Sequence, residues 1–415
     1  MCSASLHLRR AIASTALDFH FAHLMSPSAV PLSTAPHVAL TERPRALKVL
    51  HVFAPALVGG LERVVCSLTR AQQEAGVETR VAAVVEPDAK ENPAVAELRA
   101  SGVAVDEIRV PPRSYLLERR RLAAVCMRWR PDILHSHGYR CDIVDSPVAA
   151  RFGIPRVSTL HGFTGGDVRN RVYEWLQRRE ARRMDAVIAV SRAMGDQLGS
   201  SNVPHERLYV VPNAYSSDAQ FAERSAARHE LGLPPDAYVI GWVGRLTAEK
   251  GADVLVDAMS YLNDPPVLVS FVGEGNQRQA LVARSASTAP GKVRWHGLAL
   301  GASRLLRAFD VFVLSSRTEG TPMVLFEAMN AGLPIVATRV GGVPDVLRRE
   351  DALLVEPDDP ASLASAIRET MRNPEGARAR AASARARLTT HYAVAPWVER
   401  HTTIYRQILR NAISQ

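Results

Sequence analysis

The 415-residue sequence contains few lysines, few cysteines and no long apolar run. The four cysteines, at positions 2, 66, 126 and 141, have no C-x-x-C spacing, so neither a disulfide framework nor a zinc site is indicated. No stretch reaches the roughly 20 consecutive apolar residues that a membrane-spanning helix needs. These absences predict a cytoplasmic protein in a reducing compartment, whose contact with a membrane, where there is one, is peripheral.

The basic side chains are almost all arginine, although the net charge is +9. The lysines are Lys48, Lys90, Lys250 and Lys292. We interpret the arginine bias as a reflection of genome composition, and we expect no nucleic-acid partner. Each lysine is correspondingly more informative about function.

The length of the chain exceeds what one ordinary hydrophobic core supports, so two domains are expected. Residues 1–45 are predicted to be a disordered tail, and Met25 is an alternative start to Met1. We expect an N-terminal domain over residues 46–215, a linker over 216–236 and a C-terminal domain over 237–390. A helical tail from about Ala377 is predicted to break at Ala395-Pro396 and to resume at Trp397. Its last segment, over 391–415, is predicted to pack back on the N-terminal domain, because its apolar residues recur at helical spacing.

Short β-rich apolar runs alternate with amphipathic helical stretches from Lys48 onward, which predicts an α/β fold with parallel sheets. Two series of strands are predicted, and they form two tandem Rossmann-like, doubly wound sheets. The first series is Lys48–Phe53, Thr79–Val85, Ile133–His135, Arg156–Leu160, Ala186–Val190 and Leu208–Val211. The second is Tyr238–Val243, Val267–Val272, Lys292–Trp295, Val311–Leu314, Ile335–Ala337 and Ala352–Val355. Ligands of such sheets bind at the carboxyl ends of the strands.

The segment from Glu319 to Glu327 follows a predicted strand and leads into a short helix. Thr321 is a suitable N-cap and Pro322 suits the first helical position. The backbone amides from Gly320 to Val324, including that of Met323, should therefore point out of a helix N-terminus at the edge of the sheet, where anions bind. Two glutamates on either side of such a phosphate site could accept hydrogen bonds from the hydroxyls of both sugars of a sugar nucleotide.

Two other loops carry candidate phosphate ligands. Gly244 and Arg245 directly follow a predicted strand, and Lys250 follows five residues later, so that a forked donor and a point charge could converge on a pyrophosphate. After the first strand, Gly59 and Gly60 allow close approach of the backbone to a phosphate or a sugar. Neither loop has the spacing of a P-loop or of a dinucleotide-binding fingerprint.

Taken in order, these motifs resemble retaining glycosyltransferase family 4. The resemblance spans nearly all of residues 48–390. The motifs are Gly59-Gly60-x-Glu62, Leu160-His161-Gly162, Val190-Ser191, Pro212-Asn213, Gly244-Arg245 with Lys250-Gly251, Gly273-x-Gly275, Glu319-Gly320-x-Pro322 with Glu327, and Gly341-Gly342. Seven residues separate Glu319 from Glu327, as in the E-x7-E signature of that family.

The resemblance implies a GT-B fold in which the first domain binds the acceptor and the second binds the nucleotide sugar across an interdomain cleft. It implies that Glu327 holds the ribose and Glu319 the transferred sugar, while Arg245 and Lys250 neutralise the diphosphate. His161 would lie near the transferred sugar, Gly60 near the phosphate or the acceptor, and Gly273 in the nucleotide-sugar site.

The sequence has no D-x-D motif of the metal-dependent transferases, so we expect no metal or other cofactor. The donor would be a UDP- or GDP-sugar, and the acceptor a glycan or a lipid-linked glycan of an exopolysaccharide, cell-envelope or lipid-glycan pathway. Glu319 as an enzymatic nucleophile is a second hypothesis for the mechanism. An epimerase of the same fold that acts on UDP-N-acetylglucosamine is the alternative function, and a non-enzymatic basic binding protein is the third.

The stretch Arg169–Arg183 carries several arginines beside Val172, Trp175 and Leu176. Basic amphipathic helices of this kind lie on anionic membrane surfaces. The sequence therefore predicts peripheral contact with the inner face of a membrane, although a solvated charged face is the simpler alternative.

Overall fold

The computed structural model describes residues 46–57, 59–162, 168–216, 220–262, 267–299 and 301–413. The predicted tail and the choice between Met1 and Met25 lie outside these ranges. Within them, no helix combines the length and the apolar composition needed to cross a bilayer.

Seven parallel strands form the first sheet. They are β1 (Lys48–Phe53), β2 (Glu78–Val85), β3 (Ala104–Arg109), β4 (Ile133–His137), β5 (Arg156–Leu160), β6 (Ala186–Ala189) and β7 (Leu208–Val210). Their spatial order is β3-β2-β1-β4-β5-β6-β7, so the chain winds outward in both directions from the boundary between β1 and β4. Helices cover both faces, so the central strands β1, β4 and β5 are almost entirely buried although they contain polar residues.

The helices around this sheet are α1 (Gly60–Glu74), α2 (Pro93–Ala100), α3 (Tyr115–Trp129), α4 (Tyr139–Val144), α5 (Ser146–Ala150), α6 (Val168–Ala181) and α7 (Arg192–Ser200), with a 3-10 turn at His205–Arg207. In α1, Val64, Leu68 and Ala71 recur at helical spacing. They are buried in one apolar cluster with Val49 of β1 and Ile133 of β4. The spacing thus fixes which face of α1 packs on the sheet.

Six parallel strands form the second sheet: β8 (Tyr238–Val243), β9 (Val267–Val272), β10 (Val293–Trp295), β11 (Val311–Leu314), β12 (Ile335–Thr338) and β13 (Leu353–Val355). The order β10-β9-β8-β11-β12-β13 reverses between β8 and β11. The helices are α8 (Arg224–Glu230), α9 (Ala252–Ala258), α10 (Arg278–Thr288), α11 (Met323–Ala331), α12 (Val343–Val346), α13 (Pro360–Arg372), α14 (Pro374–His391) and α15 (Val394–Ile413), with 3-10 turns at Ala248–Lys250, Met259–Tyr261 and Ala302–Ala308. The predicted α/β class with two doubly wound sheets is confirmed.

One strand is missing from the prediction. Strand β3 lies at the edge of the first sheet, and three of the six residues of its sequence AVDEIR are charged. Asp106 there pairs with Arg80 of β2 at 2.9 Å and with Arg128 of α3 at 2.7 Å. An edge strand presents charge to solvent and lacks the apolar run by which the central strands were recognised.

The end of the chain differs from the prediction in one detail. The helical tail breaks at residues 392–393 rather than at Ala395-Pro396, and Pro396 lies in the first turn of α15. The N–H groups of a first turn have no intrahelical partner, so proline is tolerated there. Helix α15 then lies against α1, where Tyr405 is fully buried and its hydroxyl accepts a hydrogen bond from Gln72 Nε2 at 3.2 Å.

The centre of β8 contains a glycine whose missing side chain leaves room for Phe309. A Cβ on Gly241 would overlap the Phe309 ring, which is itself buried. We expect Gly241→Ala to destabilise the fold by about 1–3 kcal/mol, because a methyl group there overpacks the core. Denaturant unfolding followed by circular dichroism measures the change.

The control is Gly199→Ala in α7, where the nearest atom to a new Cβ is 4.0 Å away. Alanine favours a helix over glycine, so this variant should be as stable as the parent or more stable. Equal unfolding midpoints for the two alanine variants would contradict the packing argument.

Candidate active site

The loops that follow β8 and β11 flank the point at which the order of the second sheet reverses, and they bring Lys250 to Glu319. Lys250 Nζ lies 2.7 Å from Glu319 Oε1, and Ser316 Oγ donates to the same oxygen at 2.6 Å. The side chains of Lys250 and Glu319 are 23% and 6% exposed. A buried carboxylate is therefore paired with a cation at the strand ends, where doubly wound sheets bind ligands.

Glycines let the backbones of these loops touch. Gly251 has a φ of +60°, and a Cβ there would collide with the carbonyl oxygen of Ser315. Gly273 has a φ of +148°, and its Cβ would collide with the carbonyl oxygen of Gly244. These glycines are needed for conformation and close packing. Direct contact of Gly244 and Gly273 with a nucleotide sugar stays a prediction.

Arg245 does not join the pair formed by Lys250 and Glu319. Its guanidinium is 58% exposed, and its ion pair is with Glu249, 3.5 Å away. A side chain this exposed is free to reorient, so its expected role on the diphosphate stays a prediction.

Helix α11 begins at Met323 and ends at Gly332, whose φ of +73° is the left-handed cap expected there. The predicted N-cap is wrong. Pro322 occupies the N-cap position, and the hydroxyl of Thr321 donates instead to the carbonyl oxygen of Val190, at the end of β6. The hydroxyl thus ties the second sheet to the first, and the N-terminal amides of α11 have no side-chain cap.

The carboxyl edge of the first sheet lies directly against this loop. A Cβ on Gly320 would collide with the carbonyl oxygen of His161, and a Cβ on Gly162 would lie 3.6 Å from Gly320 N. Similarly, a Cβ on Gly60 would lie 3.5 Å from Met323 Cγ. The structure therefore brings together the backbone at His161, Gly60 and the start of α11 beside Glu319, and their binding of one substrate stays a prediction.

Glu62 has a structural use in the Gly-Gly loop. Its Oε1 accepts a hydrogen bond from the backbone N–H of Ala56 at 2.8 Å, which closes the loop between β1 and α1. A Cβ on Gly59 would meet the same carboxylate. Gly59 is thus needed to make room for Glu62 and is not shown to contact a ligand.

Sequence reasoning missed the partner of Glu327. The carboxylate of Glu327 forms an ion pair with Arg63 of α1, which belongs to the other sheet. The Glu327 side chain is only 4% exposed, whereas that of Arg63 is 37% exposed. Arg63 follows the Gly-Gly loop by three residues, and this position beside a predicted site was the one signal available. A second ion pair between the sheets, Arg192 with Asp345 at 2.7 Å, was missed as well.

A buried cluster of histidines lies behind His161. His51, His135 and His137 are the described residues grouped closely enough to hold a metal ion, with ligand atoms within 4.8 Å of one another. Every ring nitrogen of the three already has a partner: His51 bonds to Gln72 and His137, His135 to Tyr405 and Thr159, and His137 also to His161. A metal ion would have to replace the bond between His51 and His137.

Burial keeps this cluster uncharged at neutral pH. It lowers the pKa of His51 to about 3 and the pKa values of His161 and His401 to about 4, because a charged imidazole loses its hydration there. Burial likewise holds the pKa values of His135 and His137 well below the usual range. The cluster thus acts through neutral hydrogen bonds.

Two family profiles match this chain. The family described as "Glycosyltransferase Family 4" matches residues 58–218, and "Glycosyl transferases group 1" matches residues 237–373. A D-inositol 3-phosphate glycosyltransferase from Actinosynnema mirum is 30% identical over 331 residues, which cover 70% of this chain and 78% of that protein. The chain belongs to glycosyltransferase family 4. The resemblance inferred from the motifs is confirmed.

Other family 4 relatives are matched over a smaller part of their length. A glycogen synthase from Mycobacterium tuberculosis is 29% identical over 64% of this chain and 66% of its own length. A putative teichuronic acid biosynthesis glycosyltransferase, TuaC, from Bacillus subtilis is 31% identical over 57% of this chain and 60% of its own length. The chain thus spans slightly less than two thirds of these two proteins.

Solved structures agree on the fold. HepE from Anabaena, crystallised with UDP-glucose, superposes with a TM-score of 0.76 at 20% identity, over 89% of this chain and 100% of HepE. Sucrose-phosphate synthase from Thermosynechococcus elongatus superposes with a TM-score of 0.75 at 20% identity, over 88% of this chain and 100% of that chain. The predicted GT-B fold is confirmed.

The depressed pKa values of the buried histidines predict how stability depends on pH. The pKa of His401 is about 4 in the folded state and 6.5 at its ordinary value, so between these values the unfolded chain binds more protons. The stability from keeping His401 neutral is therefore complete above pH 6.5 and is lost as pH falls toward 4. We expect the fall in unfolding free energy between pH 7 and pH 5 to be about 1–2 kcal/mol smaller in His401→Gln.

Urea unfolding at the two pH values measures this difference. His205→Gln is the control, because His205 is exposed in a 3-10 turn and its replacement should leave the pH dependence of the parent unchanged. The same pH dependence in His401→Gln and in the parent would contradict the argument.

Proposed function

We propose that this protein is a retaining, metal-independent glycosyltransferase that moves a sugar from a nucleoside diphosphate sugar to a glycan or lipid-linked acceptor. The observation that carries the proposal is the pair of Lys250 and Glu319 at the reversal point of the second sheet, beside the N-terminus of α11. A carboxylate there can accept hydrogen bonds from vicinal hydroxyls, and a cation beside it can bind a phosphate.

We assign the transferred sugar to Glu319 and the diphosphate to Lys250. Ser316 and Lys250 both contact Glu319 Oε1, so the second carboxylate oxygen is available for a sugar hydroxyl. The backbone amides at the start of α11, which have no side-chain cap, supply further donors for a phosphate oxygen. Arg245, exposed on the neighbouring loop, can swing toward the same phosphates.

The ribose is assigned to Glu327, as family resemblance suggests. Arg63 pairs with Oε1 of this carboxylate, so vicinal ribose hydroxyls that bond to both carboxylate oxygens would have to displace that guanidinium. Donor binding would then loosen one link between the two sheets while the donor itself bridges them.

The leaving group requires stabilisation of negative charge. The bond between the anomeric carbon and the diphosphate oxygen breaks, the acceptor oxygen bonds to the anomeric carbon on the same face, and the acceptor proton passes to the diphosphate. Fixed cations and helix amides stabilise charge that develops on the diphosphate, so Lys250 and α11 can serve without a metal. Glu319 is a weak nucleophile because Lys250 and Ser316 both bind it, which favours direct same-face attack.

The relatives favour a role in envelope or polysaccharide assembly. TuaC is named for teichuronic acid biosynthesis, and structural relatives include an outer-core galactosyltransferase of lipopolysaccharide. HepE binds UDP-glucose, which makes a UDP-sugar the first donor to test here. We propose that the first domain binds the acceptor in the cytoplasm, on the side of His161 and Gly60.

A donor panel tests the proposal. We expect one of UDP-glucose, UDP-N-acetylglucosamine, UDP-galactose, GDP-mannose or ADP-glucose to raise the melting temperature, since a ligand at one hundred times its Kd stabilises the folded state by about 2.7 kcal/mol. In transfer assays with that donor, Lys250→Ala should lower kcat by about 100- to 1000-fold, because one preorganised cation is lost. EDTA should leave the parent rate unchanged.

Lys48→Ala is the matched control, because Lys48 begins β1 at the amino edge of the first sheet, opposite the edge that carries the site loops, and its partner is Glu78 at 3.5 Å. Melting curves of both variants separate loss of chemistry from loss of fold. A panel in which no donor stabilises the protein, or a Lys250→Ala enzyme as fast as the parent, would reject the proposal. A covalent glycosyl intermediate trapped on Glu319 would reject same-face attack in favour of a nucleophilic mechanism.

The epimerase alternative predicts conversion of UDP-N-acetylglucosamine in the absence of any acceptor. The relatives named above are synthases and glycosyltransferases, and they favour transfer. Incubation of the enzyme with that donor alone distinguishes the two functions.

We also propose that α6 contacts an anionic membrane. Its outward face carries Trp175, 57% exposed, and Val172, 49% exposed, beside the exposed side chains of Arg171 and Arg179. Arg179 lies over the Trp175 ring at 5.8 Å. Apolar side chains ringed by arginine suit the boundary between lipid headgroups and acyl chains. The side chain of Arg169 lies outside the described residues.

Vesicle sedimentation tests this contact. Trp175→Ala should lower binding to phosphatidylglycerol vesicles by about tenfold, since burying such a side chain contributes about 1.5–3 kcal/mol. Tyr261→Ala is the control, because Tyr261 is an exposed aromatic residue of the second domain, 52% accessible. Parent protein that stays in solution with anionic vesicles at moderate salt would reject the contact.

A further inference from the structure

Behind the candidate site, a continuous chain of side-chain hydrogen bonds runs from His161 into the core of the first domain. His161 Nε2 lies 3.2 Å from His137 Nδ1, and His137 Nε2 lies 3.0 Å from His51 Nδ1. His51 Nε2 lies 2.8 Å from Gln72 Oε1. His51, His137 and Gln72 are at most 2% exposed. The chain therefore joins α1, β1, β4 and the end of β5.

The register of the sheet assembles this chain. His51 of β1 lies opposite His135 of β4, and His137 of β4 lies opposite Thr159 of β5. Residues two apart on a strand share a face. His135, His137 and the paired His51 therefore point to the side of the sheet that is covered by α1 and α15. Four histidines from three consecutive strand ends thus meet, with ring centroids 4.2–5.4 Å apart.

Because each ring is neutral and carries one proton, the direction of the bonds is set by the group at the inner end. Gln72 Oε1 can only accept, so His51 donates from Nε2 and accepts at Nδ1. His137 must then donate from Nε2 and accept at Nδ1, and His161 must donate from Nε2. The Nδ1 atom of His161 is left as an acceptor, and it is buried without a partner among the described residues.

The C-terminal helix contacts the other end of the Gln72 amide. Gln72 Nε2 donates to the Tyr405 hydroxyl at 3.2 Å, and that hydroxyl donates to His135 Nδ1 at 2.7 Å. His135 Nε2 in turn donates to Thr159 Oγ1 at 2.7 Å. If the amide were reversed, donor and acceptor would exchange in every hydrogen bond of the chain. His161 would then carry a buried N–H at Nδ1. An unpaired buried N–H is less tolerated than an unpaired acceptor.

We propose that Gln72, His51 and His137 are positioning residues that hold His161 in the Nε2–H tautomer, with its Nδ1 lone pair presented as the acceptor for a substrate hydroxyl. Tyr405 of α15 accepts from the Gln72 N–H in this polarity, which is favoured over the reverse because the buried, unpartnered His161 Nδ1 is then an acceptor. The identity of the hydroxyl as one from a sugar rests on the proposed function. The tautomer itself does not.

The consequence for recognition is a preference for hydrogen-bond donors. His161 precedes Gly162, and its carbonyl oxygen and Gly162 both lie against Gly320 beside Glu319, so the residue adjoins the proposed sugar site. A neutral imidazole with a fixed lone pair favours a ligand hydroxyl over an ether or a carbonyl oxygen at the same place. A buried polar group that requires a partner discriminates strongly against ligands that lack it.

Nitrogen NMR of the ligand-free protein tests the proposal directly. Histidine labelled with nitrogen-15 reports whether Nδ1 or Nε2 carries the proton, and the His161→Gln variant identifies the His161 signals. We expect His161 in the parent to be protonated at Nε2 and unprotonated at Nδ1 at neutral pH. No substrate or turnover is needed, so a failed transfer assay and a failed tautomer assignment remain distinguishable.

Two variants, one in α15 and one in α1, change the hydrogen bonds of Gln72 at the inner end of the hydrogen-bond chain. Tyr405→Phe removes the acceptor of the Gln72 N–H group, and Gln72→Leu removes the amide itself. Each should shift the tautomer ratio of His161 toward Nδ1–H by about fivefold or more, as expected when one hydrogen bond of about 1 kcal/mol no longer fixes the direction. If one variant fails to fold, the other gives the answer.

His401→Gln is the matched control. His401 is a buried histidine of the same cluster, but its Nδ1 bonds to the carbonyl oxygen of Trp397 in its own helix at 2.9 Å. It should leave the His161 signals unchanged. A parent protein with the proton on His161 Nδ1, or an unchanged tautomer ratio in every folded inner-end variant, would overturn the proposal. A shift in His401→Gln as large as in Tyr405→Phe would overturn it as well.

Discussion

The candidate site depends on the close approach of backbone segments at Gly320. A Cβ there would collide with the carbonyl oxygen of His161, and a Cβ on Gly342 would collide with the carbonyl oxygen of Gly320. Three backbone segments thus touch where an ordinary residue would hold them apart. Because His161 ends the fifth strand of one sheet and Glu319 precedes Gly320 in the other, this contact places groups from both sheets at one position.

Because these backbone segments pack so closely, the carboxylates beside them are buried and must be neutralised. Glu319 and Glu327 are 6% and 4% exposed, and a carboxylate in such a place needs a cation or several donors. Their partners differ in origin: Lys250 comes from the same sheet as Glu319, whereas Arg63 comes from the opposite sheet. A sugar hydroxyl that bonds to the second oxygen of Glu319 leaves the Lys250 ammonium in place for the diphosphate. A ribose that displaces Arg63 instead breaks a link between domains, so donor binding and domain contact compete at Glu327.

Sequence reasoning succeeded for residues whose position follows from the order of strands and loops along the chain. Apolar runs identified the central strands of both sheets, and each site loop follows one of them, so Lys250, Glu319 and His161 could be assigned to sheet edges. It failed where a residue acts across the sheets. Thr321 is of the residue type that caps helices, yet its hydroxyl donates to the Val190 carbonyl oxygen, a contact between the two sheets that no local pattern indicates. The charged edge strand β3 was missed because its pattern reflects solvent on one side.

The histidines of the first domain illustrate a deeper limit. His51 and His135 read as polar interruptions in two apolar strands that lie far apart in sequence. Only the register of β1 with β4 sets them side by side, and only the return of α15 supplies Tyr405 to the cluster. A buried polar network is stable only when each member has a partner, so its residues depend on one another across the whole chain. Its open end is His161 Nδ1, which has no partner among the described residues and belongs to the edge where the two sheets meet.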